Sequence, residues 1–406
     1  MVQRVVDLAN PGGWVAKEVA FEFKNNLVWG KTASKRFQKE FKKVGQKIVI
    51  KKEVQWDAVD GVETGGDITG AVQPIDQRDV ILTVNANPIV PYFCTDRDMA
   101  LSLTDFREQF VKPAAYKLAN MAELAIARAA LKFSSAVGVA GTTPDDFDAV
   151  AAAGEALDIL SVPRDSRRHL IIDPRANRKL AKSISEAFNP QAISGKAYTD
   201  GMAPPVAGFH IDMSQVIVTH IDGVQDGTGQ VDGGDQIGAS IDLKGFTSGD
   251  QLLANAIITL GVNSVNRFTK EDTGKLMQFR VTADATANGS GEMTVTIAPP
   301  IEVEGPYQNV VSAPLNNAPV VVDTYGASGP VRSPVNAAFH SSALVIATIP
   351  LEQPKGLDIS TVLNFDGWQL RYLQGFNILT GQWVSRMELL FAVDVIEETA
   401  GVRVLG

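Results

Sequence analysis

Residues 46–87 read QKIVIKKEVQWDAVDGVETGGDITGAVQPIDQRDVILTVNAN. Ile48, Ile50, Val54 and Trp56 fall on one side of an extended chain, with Lys47, Lys51, Glu53, Gln55 and Asp57 on the other. That is the period-two pattern of a strand with one apolar face. Val80, Leu82, Val84 and Ala86 repeat the period on the way back, and Gly61, Gly65, Gly66 and Gly70 mark the tip between. The spacing predicts one long β-hairpin over 46–87. An arm of about 11 residues at ~3.3 Å per residue reaches ~36 Å. A two-stranded ribbon alone is marginally stable in water, so its apolar face needs a partner surface. A second copy of the chain is the expected partner, which points to assembly before any catalytic motif is considered.

The rest of the composition allows that reading. The 406 residues are 45% hydrophobic and 20% charged, enough for two or three domains with sizeable cores. The single cysteine, Cys94, excludes an intramolecular disulfide. Met1 to Asn10 is too short and too charged for a signal peptide, and no run approaches the ~18 apolar residues of a membrane span. No membrane partner is expected. A net charge of −9 argues against a general nucleic-acid binder. The charge is uneven, however. Lys31, Lys35, Arg36, Lys39, Lys42, Lys43, Lys47, Lys51 and Lys52 stand against the single carboxylate Glu40. This basic segment suits electrostatic contact between copies or with enclosed nucleic acid, or is a solvated face.

Around the hairpin, periodicity sets out the remaining parts. Val15, Val19, Phe23 and Leu27 recur as on a short amphipathic helix in an N-terminal arm. A longer helix is expected over Thr104–Phe133, opened by the capping-box pattern Ser102-x-x-Asp105 and carrying an alanine-rich stripe. Ser134–Thr143 reads as a linker. A helix over Pro144–Leu160, a strand at Leu170–Ile172, a helix from Pro174 to about Phe188 and a strand at Val216–Val218 suggest an α/β domain.

From about Asp222 the pattern changes. Asp222–Gly249 holds eight glycines, and short β-like runs follow. They include Leu252–Leu260, Val262–Phe268, Leu276–Thr282 and Met293–Ala298, with Asn288-Gly-Ser-Gly291 as a hairpin turn. Residues 222–341 read as an inserted all-β domain, a small barrel. The α/β pattern then returns, with Leu344–Ile349 and Gly367–Phe376 as strands and Arg386–Ile396 as one buried strand.

No sequence signature of catalysis or cofactor binding is present. His210-Ile-Asp212 and His220-Ile-Asp222 place His and Asp on one strand face, but a zinc site wants further ligands that nothing supplies. Asp226, Asp232 and Asp235 lie in a glycine-rich acidic loop without the nine-residue period of calcium repeats. That loop is a candidate inter-subunit contact. No cofactor and no metal are expected.

The order of parts is arm, long hairpin, long helix, α/β domain, inserted β domain and return. This α+β chain resembles the major capsid proteins of tailed phages and herpesviruses (the Johnson fold). More narrowly, it is similar to the insertion-domain coat proteins of short-tailed phages of the Lederbergvirus type. The residues that carry the likeness are Ala114-Ala-Tyr116, Lys117-Leu-Ala-Asn120 and Glu123 on the long helix, and Tyr198-x-Asp200-Gly201 followed by Val206-Ala-Gly-Phe209. Gly249-Asp250 opens the insertion's strands, and Asn336-Ala-Ala-Phe339 with Pro350 re-enters the main fold.

The resemblance implies an arm (1–45), an extended loop (46–87), a peripheral domain (88–139 and 386–406), an axial domain (140–221 and 342–385) and an insertion (222–341). It implies a non-enzymatic shell protein of the virion, assembled in the host bacterial cytoplasm into pentamers and hexamers of an icosahedral shell. Its partners would be other copies, a scaffolding protein, a portal protein and packaged double-stranded DNA. An encapsulin-like nanocompartment shell, or a calcium-dependent adhesin or tail module, are the alternatives.

Overall fold

Two four-stranded sheets organise the first unit (residues 1–49, 81–129 and 344–394) of this computed structural model. The structure describes residues 17, 19–24, 26–37, 47–58, 68–69, 72–95, 112–187, 205–221, 223–224, 227–322, 325–326, 329–330 and 332–405. One sheet runs β1 (Lys47–Lys51), β2 (Asp79–Ala86), β18 (Phe391–Val395), β14 (Leu344–Thr348). The other runs β15 (Ile359–Phe365), β16 (Trp368–Asn377), β17 (Gln382–Leu389), β3 (Ile89–Thr95). The run expected as a single strand over Arg386–Ile396 is therefore two strands in two sheets. The chain changes sheet at Leu390, whose carbonyl accepts from the Ile349 N–H at 2.8 Å. An uninterrupted apolar run carries no mark of such a switch.

Helix α2 (Lys112–Ala129) buries Ala114, Ala115, Leu118, Ala119, Ala122 and Ile126, as the alanine stripe predicts. It packs against α1 (Trp29–Thr32), β3 and β17. Ser102–Asp105 and the rest of the expected helix before Lys112 lie outside the described residues.

The described residues of the N-terminal arm pack within the first unit. Val19, Phe23, Leu27 and Trp29 are buried. Phe23 meets the Trp368 ring edge-on at 5.3 Å, and Trp368 meets Phe391 at 5.6 Å. Ser34 then bridges to β14, donating to Leu344 O and accepting from the Ile346 N–H.

The second unit comprises residues 50–80, 130–343 and 395–406. Its mixed sheet runs β4 (Ser135–Gly138), β19 (Gly401–Leu405), β13 (Ser333–His340), β5 (Arg168–Ile172), β6 (His210–Met213). Helix α3 (Phe147–Ile159) packs on it, its N-terminus closed by Asp146 accepting from the Ala149 N–H at 3.0 Å. Helix α4 (Pro174–Ala187) packs on α3.

Four expectations change here. Residues 134–143 hold strand β4, at the edge of the sheet beside β19, because small residues suit an edge strand as well as a linker. The strand expected at Val216–Val218 is instead β6. Residues 344–385 fall in the first unit and residues 140–220 in the second. The expected 222–341 boundary also moves, since β13 pairs with β5 and β19.

The glycine-rich segment forms a closed barrel. Its order is β12 (Val321–Val322), β9 (Ile257–Val265), β10 (Asp272–Val281), β11 (Met293–Ile301), β8 (Gly238–Lys244), β7 (Gln230–Val231). Val231 then donates to Ala318 O and Val320 to Gly229 O, which joins the last strand to the segment entering β12. Closure removes the exposed edge. Val231, Ile241, Leu243, Ile258, Leu260, Phe279, Val281, Val295 and Ile297 fill the interior. The two runs expected on either side of Gly261 are one strand. Gly261 takes φ +70° where the register shifts, a bulge rather than a turn. Asn288–Gly291 is the turn expected, with Gly291 donating to Asn288 O at 3.0 Å.

Within this unit the barrel is tied to the mixed sheet. The Gln278 amide exchanges two hydrogen bonds with the Ala136 backbone, at 2.8 and 2.9 Å. Arg280 pairs with Glu398 at 2.6 Å. Arg403, fully buried on β19, donates to Phe133 O (3.1 Å), Asn255 O (2.6 Å) and Leu131 O.

Candidate subunit-contact surface

The extended loop departs from the alternation that predicted it. Ile48 and Ile50 are buried in β1, but the ladder ends at Lys51 apart from the Lys52 N–H donating to Arg78 O at 2.8 Å. Val54 is half-buried and Trp56 is 57% exposed. The four residues were expected on one covered face, and they divide. The loop's two lanes are joined by a side chain instead: Gln73 Nε2 donates to Asp57 O (2.9 Å) and its Oε1 accepts from the Asp57 N–H (3.1 Å).

The base of the loop lies on the barrel of its own chain. Arg78 holds Glu302 through both terminal nitrogens at 2.7 Å, and its guanidinium stacks 3.8 Å from the Tyr307 ring centroid. The Glu302 carboxylate raises the Arg78 pKa further, against partial desolvation. Tyr307 in turn donates its hydroxyl to Asp76 O at 2.8 Å. Lys270 reaches Asp57 at 3.5 Å and donates to Pro306 O at 2.8 Å. A planar fork stacked on an aromatic ring and paired bidentately fixes direction as well as position. Beyond this clamp the loop presents Val72, 76% exposed, and Ile75, 75% exposed. Gly61, Gly65, Gly66 and Gly70 lie outside the described residues.

The basic arm is less available than its composition suggests. Lys35 donates to Asp366 O at 2.7 Å and sits 5.6 Å from the centre of the Trp368 ring, and desolvation lowers its pKa. Lys31 and Arg36 are exposed, Arg36 beside Phe37. Lys39, Lys42 and Lys43 lie outside the described residues. In the acidic loop, Asp232 pairs with Lys244 of its own barrel at 2.9 Å, and Asp235 occupies a left-handed turn position at φ +60°. Asp226 lies outside the described residues.

Two features escaped the sequence reading. Helix α4 carries Arg175, Arg178 and Lys182 exposed, with half-buried Lys179 reaching Asp145 at 3.5 Å, while Ala176, Asn177 and Leu180 face inward. Asp173 closes the helix N-terminus by accepting from the Arg175 and Ala176 N–H groups. The spacing Arg175, Arg178, Lys182 was the available signal. The β16–β17 turn carries Ile378 and Leu379, 84% and 95% exposed. Two apolar residues at a hairpin tip have no periodicity to reveal them.

The model of the P22 coat protein, gene protein 5, matches residues 13–248, more than half of the chain. The chain belongs to the P22 coat protein family. It is a major capsid protein, a shell subunit of a phage particle. The family is structural rather than enzymatic, and neither the nanocompartment nor the adhesin alternative gains support. No curated protein matches the chain. Among solved structures, one from Mycobacterium phage Che8 is similar at 13% identity, covering 93% of this chain and 90% of its own, with a TM-score of 0.47. The capsid structure of cyanophage P-SCSP1u is similar at 13% identity, covering 89% and 83%, with a TM-score of 0.45. A structure from Gordonia phage Cozz is similar at 9% identity, covering 92% and 84%, with a TM-score of 0.42.

In this coat protein the histidines build structure. His169 and His210 sit in register on β5 and β6, ring centroids 5.7 Å apart, and desolvation lowers the His169 pKa. His340 spans Asp165 (3.1 Å) and Ser342 (2.6 Å). Among the described residues no group of three or more His, Cys, Asp or Glu is placed to hold a metal. Cys94 is buried in β3, its sulfur 3.9 Å from Trp383 O.

Proposed function

We propose that this coat protein belongs to the insertion-bearing Lederbergvirus type and builds an icosahedral shell through its extended loop, with a scaffolding protein, a portal and packaged double-stranded DNA as partners. Assembly takes place in the host cytoplasm. The observation that carries this is the pairing of a clamped base with an apolar outer surface. Arg78, Glu302 and Tyr307 hold the loop on its own barrel, while Trp56, Val72 and Ile75 stay exposed. A loop preset in this way loses less conformational entropy when a neighbouring copy covers it. The Gly61–Gly70 tip is then a contact able to fit several subunit environments.

Ile378 and Leu379 form a second contact for another copy. The charged contact with DNA falls to Arg175, Arg178 and Lys182 together with the arm cations Lys31 and Arg36, where phosphate charge is met without sequence readout. Asp232 and Asp235 contribute to inter-subunit contact of the insertion, Asp232 through a pair it already makes with Lys244.

Electron microscopy of the expressed protein, with and without a co-expressed scaffolding protein, tests the reading. Closed shells are expected with the scaffold. Dispersed monomers under both conditions would overturn it.

A further inference from the structure

We propose that Glu123 is a proton-gated latch that holds the Trp29–Thr32 turn, and the N-terminal segment carrying it, against helix α2. Glu123 lies in the middle of α2 and is 1% exposed. Its Oε2 accepts from the Trp29 N–H and its Oε1 from the Gly30 N–H, both at 2.9 Å. Helix α1 has four residues, and Val28 before it supplies no side-chain cap. The N–H groups at its start are thus capped by a carboxyl group from another helix. The seat is tight: a Cβ on Gly30 would come within 2.9 Å of the Trp368 ring.

The surroundings of this carboxyl are mostly uncharged. Ala119, Ala122, Ile126 and Trp29 are buried near it in sequence or by direct bonding. On α1, Lys31 acts on it electrostatically in favour of the charged form. On β3 the titratable groups are Tyr92 and Cys94, and on β17 Arg386 and Glu388. Glu388 is already paired with both Arg386 and Arg371. At the start of α2, Lys112 pairs with Glu22 at 3.8 Å.

Burial raises the Glu123 pKa from 4.5 to about 7, against the backbone donors Gly30, Trp29 and Val28, which pull it down. A carboxyl whose pKa is higher when docked holds a proton that the opened, hydrated form has released. Docking is therefore tightest below pH 4.5, weakens as pH rises toward 7 and is constant above that. The gap corresponds to a change on the order of a hundredfold in the docking equilibrium. In a shell subunit, and resting on the function proposed for this chain, opening gives Phe23, Leu27 and Trp29 access to another copy.

Hydrogen–deuterium exchange of the full-length, unassembled chain tests the latch, with rates corrected for intrinsic exchange between about pH 5 and about pH 8. The protection of Leu27–Thr32 is read against that of β10. The native chain is expected to lose protection there on the order of a hundredfold across this range, and Glu123→Gln to show no slope. Gly30→Ala, which crowds Trp368 and leaves the carboxyl intact, should lower protection at every pH and keep the slope. A flat native profile, or an unchanged slope in Glu123→Gln, overturns the proposal. If Glu123→Gln does not fold, the native and Gly30→Ala slopes decide it. Because the readout is on monomer, it stands or falls independently of shell formation.

Discussion

The guanidinium of Arg78 stacks 3.8 Å from the ring centroid of Tyr307, more than two hundred residues away in the chain. With Glu302 this forms the clamp at the base of the extended loop. Arg78→Ala removes a partly exposed bidentate pair and a cation–π contact, a loss of about 1–2 kcal/mol. Exchange protection over residues 72–78 should fall while that of β9 and β10 is unchanged. A double-mutant cycle with Tyr307→Ala should show coupling. Additive losses would mean that the two side chains act separately.

Trp56 is exposed beyond that clamp, so Trp56→Asp should leave the denaturation midpoint of the monomer within about 0.5 kcal/mol of native. Shell yield, measured by sedimentation and electron microscopy, should drop. Normal shells from this variant would remove Trp56 from the contact surface.

Arg403 is buried and bonds three carbonyls, those of Leu131, Phe133 and Asn255. Arg403→Met leaves those carbonyls buried without this donor, a cost of about 3–5 kcal/mol. Urea denaturation should show it. A loss below about 1 kcal/mol would mean that water or a shifted backbone replaces the guanidinium.

Gly401 has an extended backbone that any residue can adopt, but a Cβ there would stand 2.3 Å from the Phe133 ring. Gly401→Ala should therefore destabilise through packing alone, by about 1–3 kcal/mol. The companion Phe133→Leu should recover part of the loss, as thermal unfolding of the double variant would reveal.

The exposed cations of α4 span about 10 Å from Arg175 to Lys182 at 1.5 Å per residue. Replacing Arg175, Arg178 and Lys182 with Gln should weaken binding of a short DNA duplex. The slope of log affinity against log salt should become shallower by about 2–3. An unchanged slope would place the DNA contact elsewhere on the chain.

Some of this molecule was legible from local pattern. The alanine stripe of α2, the Asn288–Gly291 turn, the α3 and α4 helices and the β character of the barrel follow from period and turn chemistry. Those signals act over a few residues. Leu390 shows the limit. Nothing in MELLFAVDVI separates one strand from two, because both sheets bury the same kind of side chain. The clamp shows it again. Glu302 and Tyr307 are ordinary loop residues until the barrel brings them beside Arg78.

The sequence by itself determined the extended strands at the two ends of residues 46–87, Lys47–Lys51 and Asp79–Ala86, through their period-two alternation. It also determined the α+β class and the all-β character of the glycine-rich segment. Only the tertiary structure decided what the loop rests on. Hydrophobic alternation says that a face must be covered, but it is blind to which surface covers it. The answer came from a stacked guanidinium, a paired carboxylate and a closed barrel. Likewise, only the fold turned Glu123 from one polar residue on an alanine-rich helix into a buried cap for Trp29 and Gly30, because burial and donor geometry exist only once distant segments meet.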